Sequence, residues 1–86
     1  MSKNIKSITM YSKSYCSDCF RAQHFFDEKE LEYVEFNIEE DPKAFEKSLQ
    51  LNKGMNKAPT ILFKFSDGSE KVLIEPDRTE LEEVAG

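Results

Sequence analysis

Tyr11-Ser12-Lys13-Ser14-Tyr15-Cys16-Ser17-Asp18-Cys19-Phe20-Arg21-Ala22 is the stretch where an extended pattern gives way to a helical one. Upstream of it, residues 5–11 alternate, with Ile8 and Met10 on one face and Ser7, Thr9 and Tyr11 on the other, which predicts a strand ending at Ser12. Downstream, Cys16, Cys19, Ala22, Phe25, Phe26 and Lys29 recur at three- and four-residue spacings, so one apolar stripe runs along a helix from Cys16 to Glu30. Both cysteines of the chain therefore open a helix.

That position carries the chemistry. A thiol at a helix start lies beside unpaired backbone N–H groups and the positive end of the helix dipole, which favour the thiolate that attacks disulfides. A residue three further on is close enough to close a disulfide without unravelling the turn. Cys16 is thus expected to attack a substrate disulfide and Cys19 to resolve the mixed disulfide. Lys13 adds positive charge near the thiolate, or is a solvated loop lysine; Asp18 opposes that charge, or is simply a helix-start acid. Tyr15 also has two readings, packing at the loop or lining the groove that receives substrate. A closed zinc site needs two further ligands, and the chain has no third cysteine and a single histidine, His24, so no metal is assigned. Two buried structural cysteines are the plain alternative.

Residues 33–38 alternate again, with Val34, Phe36 and Ile38 on one side. Asp41-Pro42 opens a second helix carrying Phe45 and Leu49, and Gly54 after Leu51-Asn52-Lys53 closes it. A polar loop leads to Ala58-Pro59 and a strand over residues 60–65. Asp67-Gly68 reads as a two-residue hairpin turn, which sets Phe63 opposite Val72, Leu62 opposite Leu73 and Ile61 opposite Ile74. Asp77 and Glu80 are spaced as a capping box ahead of a last helix with Leu81, Val84 and Ala85 on its apolar side. The order βαβαββα predicts an α/β chain with one four-stranded mixed sheet flanked by three helices, the first two strands parallel and the last two antiparallel. This is the thioredoxin-like arrangement.

At 86 residues the chain is expected to form one domain, 1–86, and a monomer, with seven Phe and three Tyr enriching a modest core; Phe25 and Phe26 are read as core. The formal charge of -5 argues against nucleic acid as a partner. The acidic run Glu39-Glu40-Asp41 and the cluster Glu80, Glu82, Glu83 are read as solvated helix starts and faces. Residues 1–6 are polar and basic, and no apolar stretch follows that is long enough for a signal peptide or a membrane span, so a cytoplasmic protein is expected. In that reducing compartment a close cysteine pair points to catalysis or metal binding more than to a structural disulfide.

Three stretches together resemble the glutaredoxin superfamily: residues 11–22 as quoted, Lys57-Ala58-Pro59-Thr60, and the Asp67-Gly68 hairpin leading into Glu75-Pro76-Asp77. The resemblance implies a thiol-disulfide oxidoreductase with Cys16 and Cys19 catalytic. It implies a cis Pro59 facing the dithiol, and Ala58 presenting backbone to the substrate. Lys13, Tyr15 and Asp77 are the further substrate-binding candidates. No tightly bound cofactor is implied; electrons would come from a thiol such as glutathione or an analogue, or from thioredoxin reductase, and pass to disulfide-containing proteins. Two departures bear on the reductant. Ser17-Asp18 stands where glutaredoxins commonly have Pro-Tyr, and Ile74-Glu75-Pro76-Asp77 lacks the Gly-Gly with which glutathione users grip the tripeptide. The Glu75-Pro76-Asp77 variant, with the short length, looks more like mycoredoxins and the redoxins that feed ribonucleotide reductase. A dedicated donor to ribonucleotide reductase is therefore the nearest rival. A module holding an iron–sulfur cluster or zinc between protomers through Cys16, and a redox sensor, are rivals of another class.

Overall fold

The computed structural model describes residues 4–86; residues 1–3 of the polar start lie outside the described residues. Seven elements follow the expected order: β1 (Ile5–Ser12), α1 (Ser17–Glu28), β2 (Val34–Asn37), α2 (Pro42–Leu51), β3 (Thr60–Phe65), β4 (Glu70–Ile74) and α3 (Arg78–Ala85). The strands form one sheet in the order β2-β1-β3-β4. β1 and β2 run parallel, while β1 with β3 and β3 with β4 are antiparallel. This is the thioredoxin-like fold that the pattern of elements predicts.

Alternation along β1 sends Ile8 and Met10 to one face and Tyr11 to the other, as read from the sequence. On the first face Ile8, Met10, Ile61, Phe63, Phe65 and Leu73 pack against Ala22, Phe25 and Phe26 of α1 and Leu81 of α3. On the second, Tyr11 and Ile38 pack against Ala44 of α2, and the Tyr11 and Phe36 rings stack with centroids 5.9 Å apart. α2 buries the small residues Ala44 and Ser48, while the expected Phe45 and Leu49 are half-buried. Small side chains let the helix approach the sheet closely. The second strand is an edge strand, and of its expected apolar side only Ile38 is buried; Val34 and Phe36 remain exposed.

Local chemistry sets the helix ends. Glu30 adopts φ 56, which ends α1 short of the expected boundary, and the Leu31 N–H closes the turn onto Phe26 O at 2.8 Å. Asp41 caps α2 by accepting from the N–H groups of Lys43 and Ala44. Asp77 and Glu80 form the expected capping box of α3.

The hairpin differs from its expected register by one residue. Leu62 faces Val72 and Ile61 faces Leu73, because the loop has three residues, Ser66, Asp67 and Gly68, closed by Phe65 N–H donating to Ser69 O at 2.9 Å. Gly68, at φ 88, occupies the left-handed third position of this loop, and Asp67 Oδ1 accepts from the Ser69 N–H and hydroxyl. The dipeptide Asp-Gly suits a two-residue turn and this longer one equally. Since β3 is apolar at Ile61, Leu62 and Phe63 alike, hydrophobic patterning does not choose between the registers.

Candidate functional site

Cys16 lies just outside α1 as its N-cap, in extended backbone at φ -111 and ψ 109. Its sulfur accepts from the Cys19 N–H at 3.2 Å, taking the place of the usual capping oxygen. The same thiol donates to Ala58 O at 3.7 Å. Cys16 is half-buried, and Cys19, on the first turn of α1, is 1% exposed. Both thiols are free. Burial pushes the Cys19 thiol up to about 12; its hydrogen bond to Cys16 and the nearness of Cys16 and Glu35 push the same way, and the Lys13 backbone N–H opposes them. The two sulfurs therefore sit in different environments, one reachable and one enclosed.

Loops from three places converge on Cys16. The segment before it is held by the end of β2: Ser14 N–H donates to Glu39 Oε1 at 2.7 Å, and Asn37 Nδ2 donates to Ser14 Oγ at 3.1 Å. Hydrogen bonds from the Ser14 backbone N–H and side chain hold the Glu39 carboxyl below its ordinary value. Lys13 Nζ reaches across to Asn56 O at 3.3 Å, joining this segment to the second loop. There the Ala58–Pro59 peptide is cis, as the resemblance implied, and Ala58 is buried. Pro59 O accepts from the Glu75 N–H at 2.9 Å, which ties in the third segment, and Lys57 Nζ lies 3.6 Å from Glu75 Oε1. Tyr15, Asn56 and Glu75 all have positive φ, of 55, 49 and 48. Backbone of this kind is uncommon for residues with a side chain, and these three fall one on each of the three segments just described.

The structure brings Cys16, Cys19, Ala58 and Pro59 together, with Lys13 beside them through Asn56. Tyr15 does not pack at its loop, being 98% exposed next to Cys16. Asp77 has one carboxylate oxygen engaged in capping α3. Asp18 pairs with Arg21 at 2.9 Å on the exposed side of α1. Two residues near the site carry no mark in the periodic pattern. Glu39, read as a solvated acid, holds the Ser14 loop. Phe20, one turn after Cys16, is 58% exposed; an aromatic residue off the apolar stripe was the available signal. Among the described residues no group of three or more His, Cys, Asp or Glu side chains is placed to hold a metal ion. No helix there is long and apolar enough to cross a membrane.

A four-stranded mixed sheet with a reduced cysteine pair at the head of its first helix defines a thioredoxin-fold redox protein. The glutaredoxin family model matches residues 8–65, and the chain belongs to the glutaredoxin family. Similar relatives include the glutaredoxin-like protein NrdH of Lactococcus lactis subsp. cremoris and that of Lactococcus lactis subsp. lactis. Each is 35% identical over 54 residues, which span 63% of this chain and 72% of the relative. The protein is accordingly a glutaredoxin-like oxidoreductase.

Proposed function

We propose that this single domain is a dithiol reductase in which Cys16 attacks a disulfide and Cys19 resolves the product. In the first step the Cys16 thiolate forms a bond to one sulfur of the substrate and the other sulfur leaves as a thiolate. In the second, Cys19 attacks Cys16 Sγ, the substrate thiolate departs, and a Cys16–Cys19 disulfide remains. Two electrons from an external thiol or a flavoprotein reductase then restore the dithiol. The observation that carries this reading is the contrast between the sulfurs: Cys16 is half-buried and accepts the Cys19 N–H, whereas Cys19 is enclosed directly behind it. Its substrates would be protein disulfides or mixed disulfides with small thiols, held against Ala58 and Pro59, with Lys13, Tyr15 and Asp77 at the rim.

A second reading, a dedicated donor to ribonucleotide reductase reduced by thioredoxin reductase, is favoured by the ion pair of Lys57 with Glu75. That pair occupies a cation beside the Pro59 turn which an anionic tripeptide would otherwise use. Exposed Tyr15 and Phe20 also suit a protein surface better than a small charged thiol. The experiment supplies NADPH with thioredoxin reductase, then NADPH with glutathione and its reductase, and follows reduction of a model disulfide. Turnover with the first set alone supports the dedicated donor, and turnover with glutathione supports the general reductase. Cys16→Ser should abolish turnover with either; a variant still reducing disulfides at the normal rate would remove the assignment.

A further inference from the structure

On the α2 face of the sheet, opposite the face that packs α1, a groove of about 200 Å³ lies between the edge strand β2 and the first turns of α2. Tyr11, Phe36, Asp41, Lys43, Ala44 and Lys47 line it. Two of these are rings. Tyr11 and Phe36 stand opposite each other in the parallel pairing of β1 with β2, so their rings stack at 5.9 Å with 22° between the planes. Phe36 remains 38% exposed because nothing pairs beyond its strand, and the small Ala44 leaves the space above the rings unfilled.

Three polar groups at this groove are unused. Tyr11 is only 6% exposed, yet its hydroxyl makes no hydrogen bond among the described residues. No fully buried side-chain oxygen among those residues lacks a partner, so this hydroxyl is not sealed in protein. It meets solvent, and the groove is an opening that its side chain lines. Burial pushes the phenol up from its ordinary value, so it keeps its proton at neutral pH and acts as a donor whose position is fixed in advance. Lys43 and Lys47 are exposed, stand one turn apart on the same side of α2, and enter no ion pair among the described residues. Asp41, the remaining charged group of the lining, directs Oδ1 to the N–H groups of Lys43 and Ala44.

A stacked pair of rings beside one fixed donor and two free cations calls for an apolar ring that carries an anionic acceptor. The volume falls below the ~300 Å³ at which pockets for larger ligands begin, which suits a single ring. The Asp41 carboxylate in the lining disfavours a dianion more than a monoanion. The chain's charge of -5 likewise opposes an acidic protein more than a small singly charged acid. We propose that this groove binds a small aromatic carboxylate, its ring against Tyr11 and Phe36 and its carboxylate accepting from the Tyr11 hydroxyl and the Lys43 and Lys47 ammonium groups. None of the lining residues belongs to the group gathered around Cys16, and the proposal does not depend on the dithiol reading.

The test titrates the reduced full chain with benzoate and follows binding by calorimetry and by amide NMR shifts. Saturable shifts should centre on Phe36 and Ala44. Tyr11→Phe, which keeps the ring and removes only the hydroxyl, should weaken benzoate by about 10-fold. The double variant Lys43→Gln, Lys47→Gln lies on the surface and should weaken it by about 10-fold at low salt, with the gap narrowing as salt is added. Benzyl alcohol, with the ring but no charge, and acetate, with the charge but no ring, should each bind at least about 10-fold less tightly than benzoate. Absence of saturable shifts at the groove overturns the proposal, as does an affinity unchanged by Tyr11→Phe or shifts centred on Cys16 and Ala58. Tighter binding of phenyl phosphate than of benzoate overturns the choice of a carboxylate. Tighter binding of a short peptide ending in Phe would replace the small acid with a protein partner.

Discussion

The two faces of the sheet are held by different physics. Against α1 and α3 the sheet is sealed by large apolar side chains: Phe25, Phe26, Phe63, Met10, Ile61 and Leu81 are all no more than 1% exposed. The Phe26 ring meets Phe25, Tyr33 and Phe63 with centroids 5.9, 5.0 and 6.2 Å away. Toward α2 the apolar cluster is small, Tyr11, Ile38 and Ala44, and buried polar groups join it. Asn52 Nδ2 donates to Thr60 Oγ1 at 3.0 Å, Thr60 Oγ1 donates to Lys57 O at 2.8 Å, and Met55 N–H donates to Asn52 Oδ1 at 3.1 Å. Both Asn52 and Thr60 are fully enclosed. Apolar packing is non-directional and stabilises the fold; hydrogen bonds are directional and fix the path of residues 52–60, the loop that presents Ala58 to Cys16. One face supplies stability and the other places backbone.

The largest expected effect is on the apolar face. Phe26→Ala should cost about 3–5 kcal/mol, read as a lowered urea midpoint, because its ring is enclosed on every side and the cavity cannot collapse. The folded fraction should still reduce disulfides at the wild-type rate. Asn52→Ala should cost less, about 1–3 kcal/mol, through loss of the two hydrogen bonds that its buried amide makes with Thr60 Oγ1 and the Met55 N–H. Its turnover per folded molecule should fall all the same, since the 52–60 loop loses its anchor. A variant at Asn52 as unstable as Phe26→Ala, or one with full turnover, would erase the distinction between the faces.

How much of this was legible in the sequence follows the same division. The apolar face was readable because packing against helices imposes a period: Ile8 and Met10 alternate, and Cys19, Ala22, Phe25 and Phe26 recur at helical spacing. The cysteine pair was readable because its spacing and helix-start position are local. Asn52 was not, since it looks like helix-end punctuation and its partner lies eight residues on in another element. Glu39 bonds to Ser14 across 25 residues, and no periodic trace marks such a bond. Nor did the pattern separate Glu35, which accepts from Ser12 and Gln23, from any other polar residue alternating along an edge strand. The hairpin register escaped for a related reason. A strand apolar on both faces leaves the turn to decide, and Asp67-Gly68 fits more than one loop length.

A smaller effect tests the α2 side from its far end. Asp41 accepts from two N–H groups at the start of α2, and Asp41→Ala should cost about 1 kcal/mol, the ordinary worth of such a cap. Because α2 carries Asn52 at its C-terminal cap, any loosening should reach the loop. Hydrogen exchange at Met55 should therefore rise in this variant more than exchange at Phe63. Equal protection at both amides would mean that the helix and its loop do not act together.

The smallest effect belongs to the exposed seam between α1 and α3. Arg78 donates to Glu28 at 2.8 Å, pairs with Glu82 at 3.3 Å and lies over the Phe25 ring at 5.3 Å. The hydrogen bond from Arg78, and its charge, hold the Glu28 carboxyl below its ordinary value. A carboxyl lowered in the folded state adds stability above its unfolded value, and that contribution disappears as the pH falls through the folded value. Arg78→Gln should therefore lower the urea midpoint slightly at neutral pH, and the gap from wild type should close in acid. Glu39, lowered by Ser14 instead, loses its contribution in both proteins and cancels from the difference. A gap that stayed constant across this range would assign the effect of Arg78 to its contact with the Phe25 ring, returning even this polar seam to the packing that governs the rest of its face.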